Sequence, residues 1–135
     1  MSRLVAGCDP HLETVTVAVV DSAGGGVETV TVPNSARGWE QAVELCQRWE
    51  IEVVGIEGAS GFGRCLAQTL NQAGIRVREV PTRLTARQRR VDGAGKTDPG
   101  DARTIARAVS RGEGNDWTDD PWLETIRVLS ARRDH

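Results

Sequence analysis

The chain has 135 residues, the length of one domain, with room for a real core but a modest stability margin. No run approaches the roughly 18 apolar residues of a membrane span, and the start lacks the charged-then-apolar pattern of a secretory signal, so a soluble cytoplasmic protein is expected. The formal charge of −2 conceals a segregation: Met1 to Gly58 carries nine acidic and three basic residues, and Arg76 to Arg111 carries ten basic and four acidic. Arg supplies sixteen of the seventeen basic residues, and its planar fork suits phosphate oxygens better than the point charge of Lys. Cys8, Cys46 and Cys65 are odd in number, far apart and set among apolar residues. They indicate neither a disulfide framework nor a zinc site, and read as buried free thiols.

Leu4 to Cys8 is a short apolar run, and Thr14 to Val20 is rich in β-branched residues; both predict strands. The Gly24-Gly25-Gly26 triplet permits a tight reversal into a third strand, Val27 to Val32, which alternates apolar with polar residues. After Pro33, Asn34 or Ser35 can cap a helix whose apolar positions Trp39, Ala42, Val43, Cys46 and Trp49 recur at helical spacing. Val53 to Ile56 predicts a fully buried strand. Arg64 to Ala73 predicts a helix closed by Gly74, with Ser60 its expected N-cap, and Ile75 to Val80 a fifth strand stopped by Pro81. Arg83 to Gly95 is strongly basic and ends in Gly93-Ala94-Gly95, the pattern of a loop or loosely packed helix. Asp98 with Pro99 opens a helix to about Ser110, Asp116 to Asp120 reads as an acidic turn, and Trp122 to Arg133 as a last helix.

Three meandering strands followed by helix, strand, helix, strand and helix is the order of the ribonuclease H-like (RuvC-like) α/β fold, a mixed five-stranded sheet flanked by helices. In that order a helical crossover sets the fourth strand beside the first. Asp9 and Glu57, at the polar ends of those two strands, then stand side by side. Asp98 and Asp101, three apart at a helix start, share a face that can reach the same rim. Crowded carboxylates are costly unless a cation neutralises them, and a hard-oxygen cluster suits Mg²⁺ or Mn²⁺. Two such ions roughly 4 Å apart clamp a phosphodiester for nuclease or strand-transfer chemistry. Arg83, Arg87, Arg89, Arg90 and Lys96, with Arg103, Arg107 and Arg111 at four-residue spacing on the following helix, are candidate phosphate contacts. His11 lies near Asp9 and reads as a hydrogen-bonding turn residue. Gly58, Gly61 and Gly63 let a backbone approach Glu57 closely.

Gly7-Cys8-Asp9-Pro10-His11, Gly55-Ile56-Glu57-Gly58 and Gly95-Lys96-Thr97-Asp98-Pro99-Gly100-Asp101-Ala102, in this order and with a basic segment before the last, resemble the N-terminal domain of the DEDD transposases of insertion-sequence family 110. The resemblance implies a mobile-element DNA recombinase with the tetrad Asp9, Glu57, Asp98 and Asp101, dependent on Mg²⁺ and guided by a structured bridge RNA. It also implies a homo-oligomer in the full-length protein. On this reading residues 1–112 form the catalytic domain. Residues 113–135 hold the acidic turn and the start of a coiled coil, beyond which family members carry a second domain with a serine nucleophile.

Three other readings remain open at the level of sequence. A Holliday-junction resolvase would use the same fold and acidic site within one short domain. A protein of the related actin and sugar-kinase fold would use an early Asp and Gly-rich turns to bind ATP. A non-catalytic nucleic-acid-binding module would bind metal without cleaving.

Overall fold

The computed structural model describes residues 3–81 and 98–118, with residues 98–100 described by backbone alone. Strands β1 (Val5–Pro10), β2 (Thr14–Val20) and β3 (Gly26–Pro33) form an antiparallel meander, and helix α1 (Ala36–Arg48) follows. Strand β4 (Val53–Ile56) then lies parallel to β1, and helix α2 (Arg64–Gln72) leads to β5 (Arg76–Glu79), parallel to β4. Helix α3 (Asp98–Ser110) precedes a two-residue strand β6 (Asn115–Asp116), antiparallel to β5. The sheet order is β3-β2-β1-β4-β5-β6.

Period-2 alternation sorts the strand side chains into two cores. Ala6, Cys8, Val15, Val17, Val19, Val54, Ile56 and Val77 pack with Ala42, Leu45 and Cys46 of α1 and Leu66, Ala67 and Leu70 of α2. Val5, Val20 and Val80 pack on the opposite face with Ile105, Ala106, Ala108 and Val109 of α3. Helix α1 is secured to the meander where Arg48 donates to both carboxylate oxygens of Glu28, at 2.8 and 2.9 Å, and Trp49 Nε1 donates to Glu28 Oε2 at 2.6 Å. Gly74 ends the α2 region with a left-handed φ of 85°, as its position predicts.

The sheet has six strands where the sequence reading gave five. Asp116, expected in an acidic turn, is instead in β6, and residues 113–117 belong to the packed structure. Arg76 and Arg78 both bond Asp116 Oδ1, at 2.7 and 3.0 Å, and Arg78 also donates to the carbonyls of Gly112, Glu113 and Gly114. The hydrogen bond from Arg76 and the charges of both guanidiniums hold the Asp116 carboxyl below its usual range. Trp117 then enters the α1–α2 core, its N–H bonded to the Val77 carbonyl at 3.0 Å. A two-residue strand set by arginine contacts from a distant segment leaves no periodicity to read. The expected helix from Trp122 lies outside the described residues.

Of the expected N-caps, Ser35 is found and Ser60 is not. Helix α2 is capped by Gly63, not Ser60, and Ser35 caps α1 without a side-chain hydrogen bond. Cys65, expected to be buried, is exposed, whereas Cys8 and Cys46 are buried as expected. Burial pushes the Cys46 thiol up to about 12 and raises Cys8 well above 9.0, the neighbouring Cys46 and Asp9 adding to the shift at Cys8. Unfolded thiols release their protons near pH 9 while the folded ones keep theirs, so stability from this source is complete below pH 9 and falls as pH rises. A thiol reagent at neutral pH should therefore label Cys65 alone. The melting temperature should decline above about pH 9, less steeply in a Cys8→Ala/Cys46→Ala variant. Rapid labelling of Cys8 in the folded chain would contradict this.

Candidate active site at the strand ends

Asp9 is the penultimate residue of β1, paired with Thr16 across the antiparallel ladder. On its other side Gly7 pairs with Gly55 and Cys8 with Ile56. The Glu57 N–H continues that ladder to the Cys8 carbonyl at 3.3 Å, which sets Glu57 beside Asp9. Cys8 and Ile56 point into the α1–α2 core, so Asp9, one residue further on in β1, faces the α3 side, and Glu57 directly follows the last residue of β4. Asp9 is only 8% exposed, and its Oδ2 lies 3.1 Å from His11 Nε2. His11 is thus the hydrogen-bonding turn residue its spacing suggests, its N–H also closing the turn onto the Thr14 carbonyl at 2.7 Å.

Helix α3 sits directly on the strand backbones because two glycines permit it. A Cβ on Gly7 would stand 2.3 Å from the Ala102 carbonyl oxygen and 2.4 Å from the Ala106 nitrogen. A Cβ on Gly55 would stand 2.3 Å from Val109 Cγ2. The helix direction follows from Arg107, whose Nε donates to the Gly24 carbonyl at 2.9 Å in the β2–β3 turn, beyond Val20 and so at the sheet end opposite Asp9. The N-terminal end of α3 is therefore directed toward Asp9 and Glu57. Asp101 precedes Ala102 there, half-buried, with its Oδ1 shut off from solvent.

Asp9 and Glu57 thus stand at neighbouring strand ends, and Asp101 lies in the first turn of the helix that crosses the sheet toward them. Asp98 is the first residue of α3, one turn before Asp101, and its side chain lies outside the described residues. The donors are carboxylate oxygens, the chemistry a hard divalent cation requires, and burial of Asp9 and of Asp101 Oδ1 makes neutralisation by a cation favourable. Among the described residues no three acidic, His or Cys side chains lie close enough to hold one ion together. The donor chemistry suits a hard divalent cation, but Asp9, Glu57 and Asp101 do not by themselves converge on one ion in this structure, and the side chain of Asp98 lies outside the described residues.

Of the expected phosphate contacts, Arg83, Arg87, Arg89, Arg90 and Lys96 lie outside the described residues. Arg103 lies against Gly26, with Cδ 3.4 Å from where a glycine Cβ would be, and Arg107 holds Gly24, so both border the β2–β3 turn. Sequence reading missed this anchoring task of Arg107, which depends on a contact across 83 residues. It also missed Asn34. The Asn34 Nδ2 donates to the carbonyls of His11 (2.7 Å) and Phe62 (3.0 Å), joining the turns that follow Asp9 and Glu57. Nothing in local sequence separates such an Asn from a helix cap.

A meander extended by two parallel strands, with a helix laid across one face and carboxylates at neighbouring strand ends, defines a ribonuclease H-like domain of the RuvC type. The fold is similar to that of RuvC from T. thermophilus in complex with a Holliday junction substrate, with a TM-score of 0.65 and 16% identity over 85% of this chain and 99% of that one. A Thermus thermophilus RuvC structure gives a TM-score of 0.63 at 16% identity over 84% and 99%. Fowlpox virus resolvase with Holliday junction DNA gives 0.50 at 7% identity over 81% and 99%. No curated protein matches the chain. The family model of the IS110 DEDD transposases, described as Transposase, matches residues 6–135, and the chain belongs to that family. Among the described residues no helix is long and apolar enough to cross a membrane.

Proposed function

We propose that this chain is the DEDD domain of a mobile-element recombinase that cleaves and exchanges DNA strands, with Asp9, Glu57, Asp98 and Asp101 as ligands for Mg²⁺ or Mn²⁺. What supports the proposal is the parallel register that ends β1 and β4 side by side at Asp9 and Glu57, with helix α3 seated across the sheet on Gly7. Divalent ions held there would activate an attacking oxygen and neutralise the leaving one. The residues themselves do the positioning. The β1–β4 ladder fixes the separation of Asp9 and Glu57, His11 orients the Asp9 carboxylate, and the Gly7 seat of α3 sets the distance of Asp101 from both.

Arg83, Arg87, Arg89, Arg90 and Lys96 immediately precede in sequence the helix that carries Asp98 and Asp101. They are assigned to phosphate contacts with DNA and with a structured guide RNA, the partner that family membership supports, in a homo-oligomeric full-length protein. Arg89→Ala with Arg90→Ala should reduce the slope of log K against log salt by about 1 to 2 for either nucleic acid. An unchanged slope would remove these two residues from the interface. The reading as a whole is tested by incubating the chain with end-labelled branched and duplex DNA in Mn²⁺ and in EDTA. Strand cleavage in Mn²⁺ alone is expected, and an intact substrate on which the chain is bound in Mn²⁺ would refute it.

A further inference from the structure

The β1–β4 ladder stops where the carboxylates begin. Its paired residues end at Cys8 and Ile56, and the Glu57 N–H then reaches the Cys8 carbonyl at 3.3 Å. Two like charges at adjacent strand ends repel when no cation lies between them. Asn34, at the junction of β3 and α1, reaches this point from beyond β2 in the sheet order. Its Nδ2 donates to the His11 carbonyl at 2.7 Å, two residues after Asp9, and to the Phe62 carbonyl at 3.0 Å, five residues after Glu57. Its own N–H bonds the Glu13 carbonyl at 2.8 Å. Trp39 Nε1 donates to Asn34 Oδ1 at 2.8 Å, and because an indole N–H can only donate, this bond assigns the amide and leaves Nδ2 for the two carbonyls.

Both ends of this bridge are stiff. On the β1 side the His11 N–H closes onto the Thr14 carbonyl at 2.7 Å, and the His11 ring meets Asp9 Oδ2 at 3.1 Å. On the β4 side Gly58 takes a left-handed φ of 72°, and its carbonyl accepts from the Gly61 and Gly63 N–H groups at 2.9 and 3.1 Å. A Cβ on Gly63 would stand 2.8 Å from Pro10 Cγ and from Ile56 Cγ2, so this turn is packed against the end of β1. A shift of either turn is therefore passed to the carboxylate that precedes it.

We propose that Asn34 is a positioning residue for metal-dependent cleavage: its amide clamps the turn after Asp9 to the turn after Glu57 and holds the two carboxylates at the spacing a shared cation needs. The proposal rests on the DNA-cleaving reading above. Such a clamp acts through geometry, and a misplacement on the order of 1 Å costs about 10² in rate. Trp39 orients the clamp.

The test follows single-turnover cleavage of end-labelled branched DNA across a Mn²⁺ titration, with DNA affinity measured separately in Ca²⁺ by anisotropy. Asn34→Ala should raise the half-saturating Mn²⁺ concentration about tenfold and lower the rate at saturating Mn²⁺ by about 10 to 10², with DNA affinity and salt slope unchanged. Asn34→Asp keeps the size and the acceptor for Trp39 but loses both donors, and its rate at saturating Mn²⁺ should fall as far. Trp39→Phe loses the orienting bond and keeps the amide, so both quantities should stay within about threefold of wild type. A folded variant of either kind at Asn34 that cleaves at the wild-type rate overturns the clamp and leaves the DNA-cleaving reading standing. An equal loss in Trp39→Phe also overturns it, since the effect would then follow the packing of α1. Wild-type chain that holds the DNA uncut in Mn²⁺ overturns both.

Discussion

Asp9→Asn should lower metal-dependent DNA cleavage by about three orders of magnitude while leaving the chain folded. Asp9 is almost fully buried at the end of β1, in register beside Glu57 and across from Thr16. The amide has the same shape, and its oxygen can still accept from His11, so the turn through His11 and Thr14 survives. What disappears is the charge. A metal clamp on a phosphodiester contributes several kcal/mol of transition-state stabilisation, and loss of a ligand that shares in it corresponds to a factor of about 10³. In metal-free buffer the change also removes a buried charge next to Glu57, so the melting temperature should hold or rise. Cleavage within about tenfold of wild type by a folded Asp9→Asn variant would take Asp9 out of the catalytic set.

Gly7→Ala should strongly destabilise the domain and its site together. Its methyl would meet the Ala102 carbonyl and the Ala106 nitrogen at 2.3 and 2.4 Å, and the Ala106 Cα at 3.0 Å. All three are backbone atoms, so no rotamer change relieves the contact, and α3 must lift from the sheet. Overpacking of this kind costs about 3 kcal/mol, on the order of 10 °C in melting temperature for a domain of this size. Because α3 carries Asp98 and Asp101, cleavage should fall further than the loss of folded protein explains. Thermal melts paired with cleavage per folded molecule check this. A melting temperature within about 2 °C of wild type would mean that α3 is not seated on β1 at Gly7.

The order of elements was legible because each regular element carries its own period. The β-branched run from Thr14 to Val20, the helical spacing of Trp39, Ala42, Val43 and Cys46, and Gly74 at a helix end are local signals. Placement of Asp9 beside Glu57 followed from topology, since a parallel fourth strand next to the first aligns their ends. What stayed hidden depends on contacts between distant segments. Strand β6 exists through Arg76, Arg78 and Trp117, and exposure of Cys65 reflects the side of α2 on which it falls. The Asn34 link joins turns on either side of it in the chain, 23 and 28 residues away. Gly7 and Gly55 read as ordinary strand glycines until α3 is laid upon them. The side chain of Asp98 and the basic stretch from Arg83 to Lys96 lie outside the described residues, so their roles rest on sequence and family membership.

The central claim is that Asp9 and Glu57 are ligands of one divalent metal centre, and calorimetric titration of Mn²⁺ into the DNA-bound chain tests it most directly. Wild-type chain should show saturable binding with a defined stoichiometry, lost in Asp9→Asn and weakened in Glu57→Gln, with both variants folded and still bound to DNA. Wild-type stoichiometry and affinity in both variants, or no binding in any of the three, would contradict it.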